Sequence, residues 1–288
     1  MRFPPTALPT PLPCVMGIVN VTPDSFSDGG LYADTEAAVA HGLRLVAEGA
    51  AIVDVGGEST RPGSEPVPAE VELQRVVPVV ERLAAETDAL LSIDTTKAVV
   101  ARAALDAGAG LVNDVTALRA DPDMAALVAE RGCPVCLMHM LGEPRTMQVE
   151  PVYGDVVAEV CEFLEARLAA VVAAGVREEQ VLLDPGIGFG KTLRHNLLLV
   201  RDLGRIVSLG RPVVLGTSRK RFIGALLDAG PEQRAIGTAA TTVLGLVKGA
   251  AIVRVHDVRP NVEALRVAQA VLDAGEREAD AGLSHEVR

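Results

Sequence analysis

The sequence predicts an α/β chain folded as a single-domain (β/α)8 barrel, on three observations. Eight short apolar runs alternate with longer amphipathic stretches. Nearly every run ends in a polar or glycine-rich group. Hydrophobic residues make up 49% of the 288, yet aromatics are only 2% and Trp is absent. A core of Val, Leu, Ile and Ala suits parallel strands buried on both faces. The length matches one barrel, which takes roughly 250 residues.

The runs are Cys14–Val19, Ala51–Val55, Ala89–Ile93, Gly110–Val112, Pro134–Met138, Gln180–Leu183, Pro212–Leu215 and Ala251–Val255. Most are apolar at both alternating positions. The stretches between them carry helical stripes, such as Val71, Val76, Val79, Val80 and Leu83, then Val156, Val157, Val160, Phe163, Leu164 and Leu168. Gly49, Gly108, Gly175 and Gly249 precede runs and are expected to end helices in the left-handed conformation. An open doubly wound sheet is the competing arrangement, but eight regular units with no break in composition favour closure into a TIM-type barrel. Residues 1–13 hold five prolines and are expected to form a tail or edge segment. The barrel is expected over 14–275, and 276–288 as a polar tail.

Charge and cysteine usage narrow the function. A net charge of -11 disfavours general nucleic-acid binding, although positive groups converging locally would still hold a small anion. Four cysteines are too few and scattered for a disulfide framework. No apolar run approaches the ~20 residues of a membrane span, and no apolar leader segment is seen. A cytoplasmic location is expected, with neither membrane nor nucleic acid as partner.

The strand ends carry the chemistry, because a barrel places its active site at the C-terminal ends of its strands. In order they are Asn20 with Thr22–Gly30; Asp54 with Gly56–Gly63; Asp94-Thr95; Asn113-Asp114; Met138-His139-Met140; Asp184–Thr192; Ser218-Arg219-Lys220; and Arg254-Val255-His256-Asp257. Any single polar strand end is most simply a cap or turn former, and Thr95, Asp114, Thr192 and Asp257 suit that reading. Eight together describe a polar mouth over an apolar barrel.

Local motifs add little alone. Pro185 stands where a Walker A loop needs Gly, and the third Gly of Gly186-Ile187-Gly188-Phe189-Gly190 comes one residue early for a dinucleotide fingerprint. Cys133 and Cys136 form a CxxC that runs from a loop into a strand, which suits two small buried residues better than a redox pair. No spacing joins His41, His139, His195 and His256 into a metal cage, whereas Mg2+ held mainly by a substrate phosphate needs only one or two protein oxygens.

These strand-end motifs, in order from residue 14 to 258, closely resemble those of the dihydropteroate synthases. Ala117, where that family often has Gly, is a small departure. The resemblance implies a TIM barrel, a homodimer, a requirement for Mg2+, and two substrates: 6-hydroxymethyl-dihydropterin diphosphate and para-aminobenzoate. It places Asp94, Asn113, Met138, Asp184, Phe189 and Lys220 around the pterin. Thr60, Pro62, Phe189, Ser218 and Lys220 would form the para-aminobenzoate pocket. Asn20, Thr60, Arg61, Arg254 and His256 would meet the diphosphate, with Asn20 as the metal ligand. Lys220, Arg254, His256 and Asp94 would be catalytic.

The chemistry agrees. A carboxylate matches the adjacent N–H donors of a pterin edge, and a departing diphosphate needs fixed positive groups. An aryl amine, neutral near pH 7, needs no strong base, which suits a sequence without an obvious Ser-His or Cys-His pair. A stepwise substitution is expected, with pyrophosphate leaving first. Loops 21–34 and 57–67 are expected to order once diphosphate binds. Plainer roles stay open: Met138 as core, Arg254 paired with Asp257, Arg61 as a solvated loop residue. A methyltetrahydrofolate-type methyltransferase and a non-catalytic pterin-binding paralogue are the competing functions.

Overall fold

The computed structural model describes residues 8–9, 13–22, 30–143 and 145–274. Eight strands line up in parallel: β1 (Cys14–Asn20), β2 (Ile52–Gly56), β3 (Leu90–Asp94), β4 (Leu111–Asp114), β5 (Val135–Met138), β6 (Val181–Asp184), β7 (Val214–Leu215) and β8 (Ile252–Val255). The sheet runs β6-β5-β4-β3-β2-β1-β8-β7. Its ends meet where Leu183 bridges Val213 and donates its N–H to the Pro212 carbonyl at 3.0 Å. The result is the expected single-domain (β/α)8 barrel. Each strand begins and ends within two residues of its apolar run.

Ten helices surround the barrel among the described residues: α1 (Gly30–Ala47), α2 (Ala69–Glu86), α3 (Ala98–Ala107), α4 (Met124–Arg131), α5 (Val156–Ala173), α6 (Leu193–Arg201), α7 (Leu203–Val207), α8 (Arg221–Leu227), α9 (Ala235–Val247) and α10 (Val258–Asp273). Val76, Val79, Val80 and Leu83 of α2, and Val156, Val157, Val160 and Leu164 of α5, are buried. Outward strand residues such as Val53, Val55, Leu91 and Ile93 join the same core cluster. Gly49, Gly108, Gly175 and Gly249 all have positive φ, between 92° and 120°.

Alternation along each strand builds the interior in tiers. A lower cluster takes Cys14 and Met16 from β1 and Ile52, Leu90, Leu111, Cys136, Leu182, Val214 and Ile252 from the others. Leu8, within the segment expected to be a tail, packs against it. Two residues further along six of these strands come Asp54, Ser92, Asn113, Met138, Asp184 and Arg254. The barrel is therefore apolar at its base and polar at its mouth. Cys133 and Cys136 are buried and free, and burial pushes the Cys133 thiol up to about 11, as inert small residues would have it.

Of the four expected caps, only Thr192 caps a helix directly. Its Oγ1 accepts from the His195 N–H at 3.2 Å at the start of α6. Asp114 instead closes a turn, accepting from the N–H groups of Thr116 and Leu118 at 2.7 and 3.2 Å. Thr95 accepts from the Lys97 N–H at 3.2 Å, while Asp121 caps the first turn of α3 through the Ala98 N–H at 2.8 Å. Asp257 makes no side-chain cap to α10, because Arg219 takes both its oxygens.

Candidate active site

At the mouth, β8 points Arg254 across the barrel. Its Nε donates to Asp54 Oδ2 and its Nη2 to Asp94 Oδ2, each at 2.6 Å. The same Asp54 oxygen accepts from Asn113 Nδ2 at 3.1 Å. Four strands are thus joined by one guanidinium and one amide. Burial disfavours the Arg254 cation, but Asp54 and Asp94 outweigh it and hold the group above its ordinary range. Burial raises the Asp94 carboxyl to about 7, with Arg254 opposing and the Asp54 charge adding to the rise. Arg254 is therefore not the partner of Asp257.

Asp184 ends β6 and accepts from the Gly186 N–H at 2.6 Å. Burial raises its carboxyl, against the Gly186 hydrogen bond and the Lys220 charge. Lys220 precedes α8 and sets Nζ 4.1 Å from the centre of the Phe189 ring, a cation–π contact. Burial lowers its amine to about 8, with the like charge of Arg254 adding to the shift. Phe189 and Met138 share one apolar cluster with Val115, Met140 and Met147, so the two expected apolar walls do stand together.

Ser218 and His256 meet between the seventh and eighth strand ends. The His256 backbone N–H donates to Ser218 Oγ at 3.0 Å, and the imidazole Nδ1 lies 3.0 Å from the same oxygen. Burial, then Arg254, lowers His256 to about 3, so it stands here as a neutral imidazole rather than a cation. Arg219 has φ 56° and pairs with Asp257 at 2.9 and 2.7 Å, which fixes the backbone between Ser218 and Lys220.

Thr60, Arg61 and Pro62 lie on the loop after β2, Thr60 half-buried and the other two exposed. Among the described residues, no hydrogen bond or ion pair ties them to the buried cluster. The loop is shaped by Ser64 Oγ, which donates to Arg61 O at 2.7 Å and lies 2.9 Å from Ser59 Oγ. Of loop 21–34, residues 23–29 lie outside the described residues.

The sequence places Asp54 and Lys191 at strand ends but assigns no role to them or to Tyr153. Asp54 holds Arg254 and Asn113, as above. Lys191 is buried and donates to Phe189 O and His139 Nδ1, each at 2.9 Å, so it fixes the loop that carries Phe189. Tyr153 braces the same loop by donating to Gly190 O at 2.9 Å. An Asp inside an apolar run was a visible signal for the first; the other two depend on contacts that no local pattern marks.

A metal finds limited support from protein atoms. Among the described residues, no group of three or more His, Cys, Asp or Glu could cage one. Asn20, half-buried at the end of β1, has a neutral side-chain oxygen with no hydrogen bond among the described residues. That donor set fits a hard cation carried chiefly by phosphate oxygens.

A buried carboxylate pair, a lysine on an aromatic ring and an anchored arginine define a mouth for a flat heterocycle bearing an anion. The family profile for pterin binding enzymes matches residues 16–256, which makes this a pterin-binding barrel. The dihydropteroate synthase of Mycobacterium leprae is 52% identical over 91% of this chain and 94% of its own length. That of Escherichia coli K12 is 48% identical over 94% and 96%. The Xanthomonas albilineans dihydropteroate synthase solved with 4-aminobenzoic acid superposes with a TM-score of 0.86 at 54% identity, covering 91% of this chain and 93% of that one. The chain belongs to the dihydropteroate synthase family.

Proposed function

We propose that this chain is a transferase of folate biosynthesis. It condenses 6-hydroxymethyl-7,8-dihydropterin diphosphate with para-aminobenzoate, giving 7,8-dihydropteroate and pyrophosphate. The observation that carries this reading is the mouth itself. Asp184, Lys220 and Phe189 adjoin the Arg254–Asp94 pair, in a chain about half identical to enzymes of this name over most of its length. A related enzyme was solved with 7,8-dihydropteroate in complex.

The pterin edge binds Asp184, whose free oxygen accepts ring N–H groups. Asn113 and Asp94 take further ring nitrogens, Lys220 donates to the carbonyl side, and Met138 and Phe189 close the faces. Arg254, His256, Asn20, Thr60 and Arg61 meet the diphosphate. Ser218, Thr60, Pro62, Phe189 and Lys220 line the para-aminobenzoate side. Asn20 would hold Mg2+, which would supply positive charge to the diphosphate.

The C–O bond to the diphosphate breaks first, and its electron pair leaves with pyrophosphate. Positive charge spreads into the pterin ring, facing Asp94 and Asp184. The neutral amine then forms the C–N bond and loses its proton to water. These residues act by position and charge. Loop 57–67, which carries Thr60 and Arg61, orders over the bound diphosphate.

A homodimer fits the exposed apolar side chains on two adjacent helices: Leu244 and Val247 on α9, and Val267 and Val271 on α10. Four free thiols suit a reducing cytoplasm. No described helix is long and apolar enough to cross a membrane.

The test is pyrophosphate release with pterin diphosphate, para-aminobenzoate and Mg2+ each omitted in turn. Release that needs all three, with dihydropteroate in equal amount, is expected. Folded protein that binds the pterin but releases nothing would overturn the enzyme reading in favour of a binding paralogue.

A further inference from the structure

We propose that Asp54 is a positioning residue for this reaction: it anchors the Arg254 guanidinium at the barrel mouth and restrains its pull on the diphosphate. The inference rests on the reading that Arg254 meets the diphosphate, and adds to it the group that sets its strength.

Asp54 sits mid-strand, between Ile18 of β1 and Ser92 of β3 in register. Its side chain is 0% exposed, so it stands behind the surface of the mouth. One of its oxygens takes both Arg254 Nε at 2.6 Å and Asn113 Nδ2 at 3.1 Å. A single atom therefore couples a leaving-group residue to a pterin residue. The other anchor, Asp94, is 9% exposed and is itself placed against the pterin. When pterin engages Asp94, the Asp54 contact is the one that keeps the guanidinium in place.

The charges point the same way. Two carboxylates flank one guanidinium, which lowers the positive potential that an anion meets. Fixed geometry favours the transition state, where charge builds on the leaving oxygen. Moderated charge favours product release, because pyrophosphate held too tightly would stall turnover. Removing the Asp54 charge should therefore split binding from catalysis. A residue with a merely structural role would weaken both.

The experiment compares wild type, D54N, S92A and R254Q, each checked for folding. Pyrophosphate with Mg2+ is titrated by calorimetry, and kcat and KM are measured separately. D54N is expected to bind pyrophosphate about tenfold more tightly while kcat falls roughly 10- to 100-fold. S92A, changed at the register neighbour whose hydroxyl has no hydrogen-bond partner among the described residues, is expected to match wild type. R254Q is expected to lose pyrophosphate binding. If R254Q binds like wild type, the diphosphate reading of Arg254 fails and the proposal fails with it. If R254Q loses binding but D54N binds pyrophosphate no more tightly than wild type, the proposal alone is overturned. Should D54N not fold, a crystal structure of the wild type with pyrophosphate and Mg2+ decides. Nε is expected to stay on Asp54, and a guanidinium that swings away from Asp54 overturns the proposal.

Discussion

Lys220 holds its Nζ 4.1 Å above the Phe189 ring. Two demands meet in that contact, since the protonated amine is both the form the ring attracts and the form that would donate to a pterin carbonyl in the proposed reaction. Burial lowers this amine to about 8. The active form therefore persists below that pH and is lost as pH rises through it.

The rate constant kcat/KM, which reports the free enzyme, is expected to fall on the alkaline side with a midpoint near about 8. K220R keeps the charge, so its alkaline limb should vanish while its rate stays lower by about 10-fold or more. K220A should lose activity and keep its fold. Profiles from about pH 6 to about pH 10 check this. A limb unchanged in K220R would assign it to another group.

Ser218 Oγ lies 3.0 Å from both the His256 backbone nitrogen and Nδ1, so on the proposed assignment one hydroxyl links the para-aminobenzoate side to the diphosphate side. S218A removes the hydrogen bond to the imidazole and, on the proposed assignment, a para-aminobenzoate contact as well. KM for para-aminobenzoate and Kd for pyrophosphate are both expected to rise about 3- to 10-fold, the worth of about one hydrogen bond each. A rise confined to para-aminobenzoate would mean that the bond does not couple the two sides.

The legible and illegible parts of this site divide by sequence distance. Met138 and Asp184 were readable because each ends an apolar run, and their strands pair in register. The Arg254–Asp54 pair spans 200 residues, and no local pattern could say that Asp54, rather than the nearby Asp257, would take the guanidinium. Asp257 reads as a helix cap from its neighbours, yet Arg219 competes for its oxygens from another strand end and wins with two hydrogen bonds. Lys191 reads as the end of a glycine loop. That it turns inward to the Phe189 carbonyl follows only from the three-dimensional path of that loop.

His139 ties stability to pH. Its Nδ1 lies 2.9 Å from Lys191 Nζ and its ring stands edge-on to Phe163. Burial, then Lys191, lowers it from 6.5 to about 3. The unfolded chain therefore takes up a proton between those values that the folded chain refuses, and stability is lost as pH falls across that window. The limiting slope is ~1.4 kcal/mol per pH unit. Asp94, raised from 3.8 to about 7, works in the opposite direction, so the useful quantity is a difference between variants. H139Q keeps an acceptor for Lys191 without the titration. Its urea-unfolding free energy should decline less than that of wild type from about pH 7 to about pH 4; parallel curves would count against His139.

Ala117 has a φ of 55°, in the left-handed region that favours glycine. Asp114 enforces that turn, accepting from the Ala117 and Leu118 N–H groups through its backbone and side-chain oxygens, while Arg167 donates to the Ala117 carbonyl at 3.0 Å. A left-handed alanine costs about 1–2 kcal/mol. Glycine would relieve that, at a cost of about 0.5–1 kcal/mol in chain entropy and about 0.8 kcal/mol for a buried methyl. These effects nearly cancel, so A117G should unfold within about 1 kcal/mol of wild type. Ala104 supplies the contrast, because it is equally buried in α3 but right-handed. There glycine loses helix propensity as well as the methyl, about 2 kcal/mol together. A117G should therefore melt several degrees above A104G. Equal losses in the two would mean that the turn at Ala117 stores no strain.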